Sequence, residues 1–192
     1  MSWMPEFKIG LWNAWILVLY FPLHPVIMIL LDKVAGTGDI FKKMGDPPYE
    51  RWEKRACILA NIISFVMLIY SLFLPLKTGT TWFIIGLLIY LVGLAMFIYA
   101  IVNIVTTPLG QPFIDGIYHY SRHPMLFSIF ITFLGISLAT ISWVFLLLSI
   151  VFSVLEGFLV NAEERGCLEM FGDRYQKYLD STPRWIGMPK SS

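Results

Sequence analysis

The side chains best suited to chemistry are concentrated in residues 116–124, whose sequence is GIYHYSRHP. This stretch lies between two long apolar runs, so its imidazoles and its guanidinium are expected where a membrane meets water. Ionisable groups near hydrocarbon are costly and usually mark a pathway or a functional site. Pro124 suits the first turn of a helix, and Arg122 beside that N-terminus would form an anion site. The structural alternative is that Arg122 reaches lipid phosphates while His123 caps the helix.

Three glutamates near the end of the last apolar run form a second candidate group. Glu156 and Glu163 are seven residues apart and share one helical face, whereas Glu164 is rotated by about 100° and can face elsewhere. Glu156 is the deeper charge and requires a partner, either within the bundle or on a substrate. Glu163 and Glu164 are expected at the end of the helix.

The C-terminal tail supplies a third group. Tyr175 and Tyr178 are three residues apart, on one face of a short amphipathic helix. Arg184, between Pro183 and Trp185, is a fixed cation at the membrane surface. The tail is therefore either an interfacial anchor or, through its two tyrosines, part of a substrate site.

Composition identifies the class of protein that must position these groups. The 192-residue chain is 57% hydrophobic and 14% charged, against about 25% charged residues in soluble domains, which indicates a single-domain integral membrane protein. A net charge of +1 without a basic block argues against nucleic acid as a partner. Cys57 and Cys167 have no zinc or haem spacing, so we expect free thiols and no metal.

The pattern of apolar runs predicts an all-α, polytopic bundle of five transmembrane helices, since about 20 residues cross the hydrocarbon. The runs are approximately Ile9–Leu31, Ala56–Leu76, Thr81–Val105, Pro124–Ala139 and Ser142–Val160. The fourth would be only roughly 24 Å long, so the fourth and fifth are expected to form a tight hairpin turning at Thr140–Ser142. Gly135, Ser137 and Ala139 are expected to leave a lateral opening for a lipid tail.

Orientation follows from the distribution of Lys and Arg, which favour cytoplasmic loops. With the N-terminus outside and five spans, only Lys8 and Lys77 fall outside, and the other twelve fall inside. The central stretch and the tail therefore share the cytoplasmic face.

Three further segments have a mainly structural interpretation. Pro22 is expected to kink the first span and free backbone groups, and His24 is interpreted as structural. The connector 32–55, with Pro47-Pro48-Tyr49, is expected to be a solvated segment along the membrane surface. Residues 108–113 should be extended, and their free backbone groups either bind a ligand or form a plain loop.

An ordered set of motifs resembles the integral-membrane methyltransferases that include isoprenylcysteine carboxyl methyltransferases and phospholipid methyltransferases, most closely the compact prokaryotic five-span type. The resemblance covers the part of the chain from Asn103 onward and makes residues 103–187 the catalytic half. The motifs are Gly116-x-Tyr118-x-x-x-Arg122-His123-Pro124, Glu163-Glu164-Arg165, Phe171-Gly172-x-x-Tyr175-x-x-Tyr178 and Pro183-Arg184.

The resemblance implies S-adenosylmethionine as cofactor and S-adenosylhomocysteine as product, without a Rossmann domain. The absence of a glycine-rich dinucleotide fingerprint agrees with this. Glu163 would bind the cofactor's ammonium group. The family often has an aromatic residue where Leu126 stands and a leucine where Cys167 stands. The implied cofactor-binding residues are Asn103, Gly110, Gln111, Pro112, Phe113, Tyr118, His123, Pro124, Met125, Leu126, Glu163 and Glu164.

The implied reaction is methyl esterification of an isoprenylcysteine-like, lipid-tailed carboxylate. Such an acceptor needs no general base, only a cation to orient it, either Arg184 or Arg122. Glu156, Tyr175 and Tyr178 are the candidate substrate-binding residues. The nearest alternative is methylation of a phospholipid amine, for which Glu156 or Tyr178 could remove the proton. The others are an NADPH-dependent reductase of the sterol type and a non-catalytic membrane protein.

Overall fold

A computed structural model describes residues 8–37 and 39–189, and the described residues form helices joined by short loops. One 3₁₀ turn, Gly116–His119, precedes the helix that starts at Pro124. The helices are α1 (Trp15–Val18), α2 (Tyr20–Ala35), α3 (Ile40–Met44), α4 (Arg51–Ser71), α5 (Thr81–Thr106), α6 (Pro124–Thr140), α7 (Trp143–Phe171) and α8 (Asp173–Ser181).

Four helical segments are long and apolar enough to cross a membrane, which confirms an integral membrane protein built from helices. They are the combined α1–α2 segment, α4, α5 and α7. The fourth apolar run forms α6, which is shorter than these spans at 17 residues. The five-span count therefore stays a prediction.

The first span is interrupted at Leu19, between α1 and α2. Pro22 lies three residues later and has no N–H to donate to the carbonyl of Val18, so the helical hydrogen-bond ladder is broken there. Leu19 keeps helical dihedrals, with φ −58° and ψ −28°, so the kink itself stays a prediction.

The tightest packing in the bundle joins α5 to α6 through glycines. A Cβ at Gly135 would lie 2.5 Å from the backbone nitrogen of Tyr90 and 2.6 Å from the carbonyl oxygen of Gly86. A Cβ at Gly86 would lie 2.4 Å from the backbone nitrogen of Ala139. The expectation of a lateral opening beside Gly135, Ser137 and Ala139 was wrong, because these small residues let two backbones come into contact.

The turn between α6 and α7 is as tight as predicted. Ile141 adopts a left-handed conformation with φ 53°, and the Ser142 hydroxyl caps α7 by accepting a hydrogen bond from the Phe145 amide at 3.2 Å.

The helix ends define two faces of the bundle. At one face, which we call the site face, the Thr37 hydroxyl after α2 donates to the Val105 carbonyl near the end of α5. Arg165 of α7 pairs there with Glu53 at the start of α4 at 2.6 Å. At the opposite face the Lys77 amide donates to the Ala139 carbonyl at 3.0 Å. Consequently α2 and α7 run in the same direction, toward the site face.

Most of the described residues in the connector 32–55 are exposed, as expected, but a few buried side chains anchor it to the bundle, which the sequence-based interpretation did not include. Lys43 of α3 is buried and its ammonium donates to Asp32 at 2.6 Å, to the Thr37 hydroxyl at 2.6 Å and to the Val105 carbonyl at 2.9 Å. All three donors of this lysine are thereby used. The other end of the connector is fixed by Arg165, which donates to the Pro48 carbonyl at 3.0 Å.

The glycine packing yields a test in which one substitution is made at two sites. Gly135→Ala should lower stability by about 1–3 kcal/mol, because the added methyl group meets backbone atoms that cannot rotate away. Gly157→Ala should be neutral or stabilising, since its Cβ would meet the Trp185 ring at an ordinary 3.7 Å and alanine is the better helix former. Thermal unfolding in detergent compares the two, and equal melting temperatures would contradict the packing.

Candidate active site

The site is organised around Glu164, which is buried and lies in the middle of the C-terminal half of α7. Its Oε1 accepts from His123 Nε2 at 3.1 Å and pairs with Arg122 Nη1 at 3.2 Å. Its Oε2 accepts from Arg184 Nη2 at 2.6 Å. One carboxylate therefore binds three cationic or potentially cationic groups. We call these four residues the Glu164 cluster.

The cluster corrects one expectation. Because α7 continues to Phe171, Glu163 and Glu164 are not at a helix end. Glu164 faces elsewhere than Glu163, as helical phase allowed: its rotation directs it onto the loop before α6 and onto the tail. Glu163 remains more open, with 45% of its side chain exposed, and pairs with His123 Nδ1 at 3.3 Å.

His123 lies between the two glutamates, at the N-cap of α6, as predicted. Burial lowers the pKa of His123, but its hydrogen bonds to Glu163 and Glu164 raise it, and the net pKa is raised. Both ring nitrogens have a carboxylate partner, an arrangement that favours the doubly protonated ring. Protonated His123 thus links α6 to α7.

The tail is docked on the loop before α6 by its backbone. The Arg122 amide donates to the Pro183 carbonyl at 3.1 Å, and the Gly187 amide donates to the Tyr120 carbonyl at 3.0 Å. Tyr178 of α8 donates its hydroxyl to the Tyr118 carbonyl at 2.6 Å. These bonds place Arg184 beside Glu164.

A cavity of about 720 Å³ opens beside the cluster, within the usual range for small-molecule sites. Along α7 its lining runs from Phe152 to Met170, which is about 27 Å at 1.5 Å per residue. The deep end is apolar, with Phe21, Ile129 and Phe152, while the mouth carries charged residues. A cavity of this form suits a ligand with both an apolar and a polar part.

Nine of the predicted site residues line this cavity. They are Phe113, Tyr118, Arg122, His123, Met125, Leu126, Glu156, Glu163 and Tyr175. The other predicted residues lie outside its lining: Asn103, Gly110, Gln111, Pro112, Pro124, Glu164, Tyr178 and Arg184.

Some of the predicted residues outside the cavity lining make contacts that position residues within it. Asn103 Oδ1 accepts from the Ile117 amide at 3.0 Å and so holds the 3₁₀ turn that carries Tyr118. Gly110 and Gln111 are exposed in a turn, and only Phe113 of that segment reaches the cavity. The exposed backbone groups of Gly110 and Gln111 therefore lie outside the cavity lining.

The cavity also includes residues that were not among the predicted site residues. The connector contributes residues 44–47 and Tyr49, and α2 contributes Phe21 and His24. Burial, together with the nearby charges of Glu163 and Glu156, raises the pKa of Tyr49 to about 12. The sequence features that could have indicated these cavity residues are the Pro-flanked position of His24 and the Pro47-Pro48-Tyr49 sequence. The site is therefore not confined to residues 103–187.

The residues at the mouth fit the amino-acid part of S-adenosylmethionine. Nε of Arg122 is buried and has no hydrogen-bond partner among the described residues, so a donor remains for an anionic group. Glu163 offers an accessible carboxylate for a cation, and Phe113 and Tyr118 offer aromatic surface. Within residues 8–37 and 39–189, no group of three or more His, Cys, Asp and Glu is arranged to hold a metal ion.

Comparison with known families gives one match to part of the chain. Residues 80–174 match the model of the family described as phospholipid methyltransferase. The match covers 95 of the 192 residues and agrees with the resemblance drawn from the sequence. The matched region extends from the start of α5 to the first residues of α8 and includes three of the four residues of the Glu164 cluster. Members of this family are membrane methyltransferases that generally use S-adenosylmethionine. No curated protein matches the chain.

Glu164→Gln tests the cluster. The variant leaves two guanidinium groups without a charged partner, which should cost about 1–3 kcal/mol because Arg184 is partly exposed. The tail should detach more readily, so trypsin should cleave faster after Lys177. Glu169→Gln, on the exposed surface of the same helix, is the control and should leave the cleavage rate unchanged. Equal rates in both variants would show that Glu164 does not hold the tail.

The pH dependence of stability tests His123. Because its folded-state pKa is raised, its contribution is fully present below the ordinary histidine pKa of about 6.5 and is lost as the pH rises through the raised value. The melting temperature of the wild type should therefore exceed that of His123→Gln most at low pH, and the difference should shrink toward alkaline pH. A difference independent of pH would contradict a protonated His123.

Proposed function

We propose that the chain transfers a methyl group from S-adenosylmethionine to a lipid-tailed acceptor held in the cavity, and that the acceptor is a lipid amine. The observation that carries this proposal is Glu156, a carboxylate on the cavity wall between the apolar end and the charged mouth. The two parts of the cavity support a cofactor at the mouth and an acceptor nearer the apolar end.

Glu156 is an acidic group of the cavity wall that no neighbouring cation neutralises. It has no hydrogen bond or ion pair to a described residue, in contrast to Glu164. An unpaired carboxylate at membrane depth is costly, and an ammonium group on the acceptor would offset that cost. A carboxylate acceptor would meet repulsion at the same position.

The protein's own groups supply the steps that methyl transfer to an amine requires. S-adenosylmethionine, when bound, supplies a methyl group on a sulfonium centre, which a neutral amine can attack. Glu156 accepts the proton that the ammonium form must lose before attack. The mouth orients the cofactor through Arg122 and Glu163, and the enclosed walls hold the reactants close, which lowers the entropic part of the barrier.

An isoprenylcysteine-like carboxylate is the second candidate acceptor, and Arg122 favours it. This guanidinium lines the cavity and its buried Nε lacks a partner among the described residues, so it can orient a carboxylate. Arg184, the other predicted orienting cation, is committed to Glu164 at 2.6 Å. In the amine proposal, Arg122 binds the carboxylate of the cofactor.

The proposal also includes the number of membrane crossings and the orientation of the chain. We place α6 as a fifth, shorter crossing, with the N-terminus outside and the site face toward the cytoplasm. The support is the concentration of Lys and Arg in the segments at that face.

The chemical stability of the product distinguishes the two acceptors. The purified chain is given methyl-labelled cofactor with vesicles containing either a primary-amine phospholipid or an isoprenylcysteine-like acid. Label that stays non-volatile after alkali treatment identifies N-methylation, because the N–CH3 bond is not hydrolysed, whereas label released by alkali as methanol identifies a methyl ester. The proposal requires the stable product, and ester formation alone would replace it with the second candidate.

Glu156→Gln tests the residue directly. With the amine lipid, kcat/KM should fall by about 10²–10⁴, the usual range for loss of a general base, while affinity for S-adenosylhomocysteine is unchanged. Asp180→Asn, an exposed charge loss on α8, is the control. Full activity of Glu156→Gln would remove Glu156 from the reaction.

A further inference from the structure

His24 is held in one orientation by a defect in its own helix. Pro25 follows it within α2 and has no N–H, so the carbonyl of Phe21 lacks the donor that residue i+4 normally supplies. The ring of His24 fills this vacancy, since its Nδ1 is bonded to the Phe21 oxygen. A carbonyl only accepts, so Nδ1 carries the hydrogen, and in the neutral ring Nε2 carries the lone pair.

The rest of the ring is fixed by aromatic packing. Its centroid lies 5.6 Å from that of Phe21 and 5.5 Å from that of Phe97. His24 nevertheless lines the cavity, and Nε2 has no hydrogen-bond partner among the described residues. The lone pair of Nε2 is therefore an oriented acceptor without a role in the fold.

His24 and Glu156 occupy the same level of the cavity. Phe21 of α2 and Phe152 of α7 are in contact, with centroids 5.7 Å apart, and both helices run toward the site face. His24 follows Phe21 by three residues and Glu156 follows Phe152 by four, rises of about 4.5 and 6 Å in the same direction. Both side chains line the cavity. Two hydrogen-bond acceptors from different helices therefore lie at the same level, on the site-face side of the Phe21–Phe152 pair.

We infer that His24 is a further acceptor-binding residue, which with Glu156 recognises the N–H groups of the amine; this inference rests on the proposed function. Nε2 of His24 accepts a hydrogen bond from one N–H, and Glu156 takes the proton of another. The nitrogen lone pair so freed forms the new N–C bond, while the electron pair of the broken S–C bond stays on sulfur. Each methyl transferred releases one proton by way of Glu156. A quaternary amine, which has no N–H, loses the His24 contact.

The experiment compares binding of two lipids without turnover. Short-chain phospholipids with a primary-amine or a quaternary-amine head group are titrated into the wild type, His24→Phe and His24→Gln. The phenylalanine retains the aromatic packing but has no acceptor, whereas glutamine can place an oxygen near the position of Nε2. His119→Phe is the matched control, since His119 is exposed and outside the cavity.

We expect the wild type and His119→Phe to bind the primary amine more tightly than the quaternary lipid. His24→Phe should reduce this preference about tenfold, as the loss of one hydrogen bond predicts, and His24→Gln should regain part of it, with affinity for S-adenosylhomocysteine unchanged. An intact preference in His24→Phe, or an equal loss of S-adenosylhomocysteine affinity, would overturn the inference and leave His24 structural.

The outcome is separable from that of the proposed function. If the wild type methylates the amine lipid while His24→Phe retains its preference, only the role of His24 fails. If the wild type neither methylates nor prefers the amine lipid, the proposed acceptor fails first.

Discussion

The balance of charge at Glu164 is the constraint on which the site depends. Two guanidinium groups and an imidazole come together where the bundle meets its surface, and without an anion they would repel one another at low dielectric. Glu164 lies within hydrogen-bonding or ion-pairing distance of all three. Since these groups belong to the loop before α6 and to the tail, neutralising them also brings those segments onto α7. The ion pairs that balance the charge therefore also fix the tertiary structure of these segments.

Two cations, the buried Lys43 and the partly exposed Arg165, perform the corresponding task on the other side of the cavity. Lys43 ties α3 to the ends of α2 and α5, and Arg165 ties the chain at Pro48 to α7. The segment between them forms one wall of the cavity. Arg165 is the immediate neighbour of Glu164, so a single turn of α7 holds both the tail and the connector. A membrane protein can build a polar site in this way because the cations that fix its walls have partners.

Much of this arrangement follows from local sequence. Apolar run lengths predict the long helices, and Pro124 predicts the start of α6. The position of Glu164 was missed because helical phase shows only that it differs from Glu163; the loop that meets that other face is set by tertiary packing. The Lys43–Asp32 pair was missed for a similar reason, since a charged connector usually remains in water. The role of His24 depends on two facts: which carbonyl Pro25 leaves unpaired, and where the cavity lies. Only the first can be read from the sequence.

The most direct test of the account is calorimetric titration of the detergent-purified chain with S-adenosylhomocysteine, with NADPH as the control. The account predicts saturable, one-to-one binding of S-adenosylhomocysteine that weakens in Glu163→Gln, and no binding of NADPH. Absence of S-adenosylhomocysteine binding, or binding of NADPH alone, would contradict a methyltransferase site in this cavity.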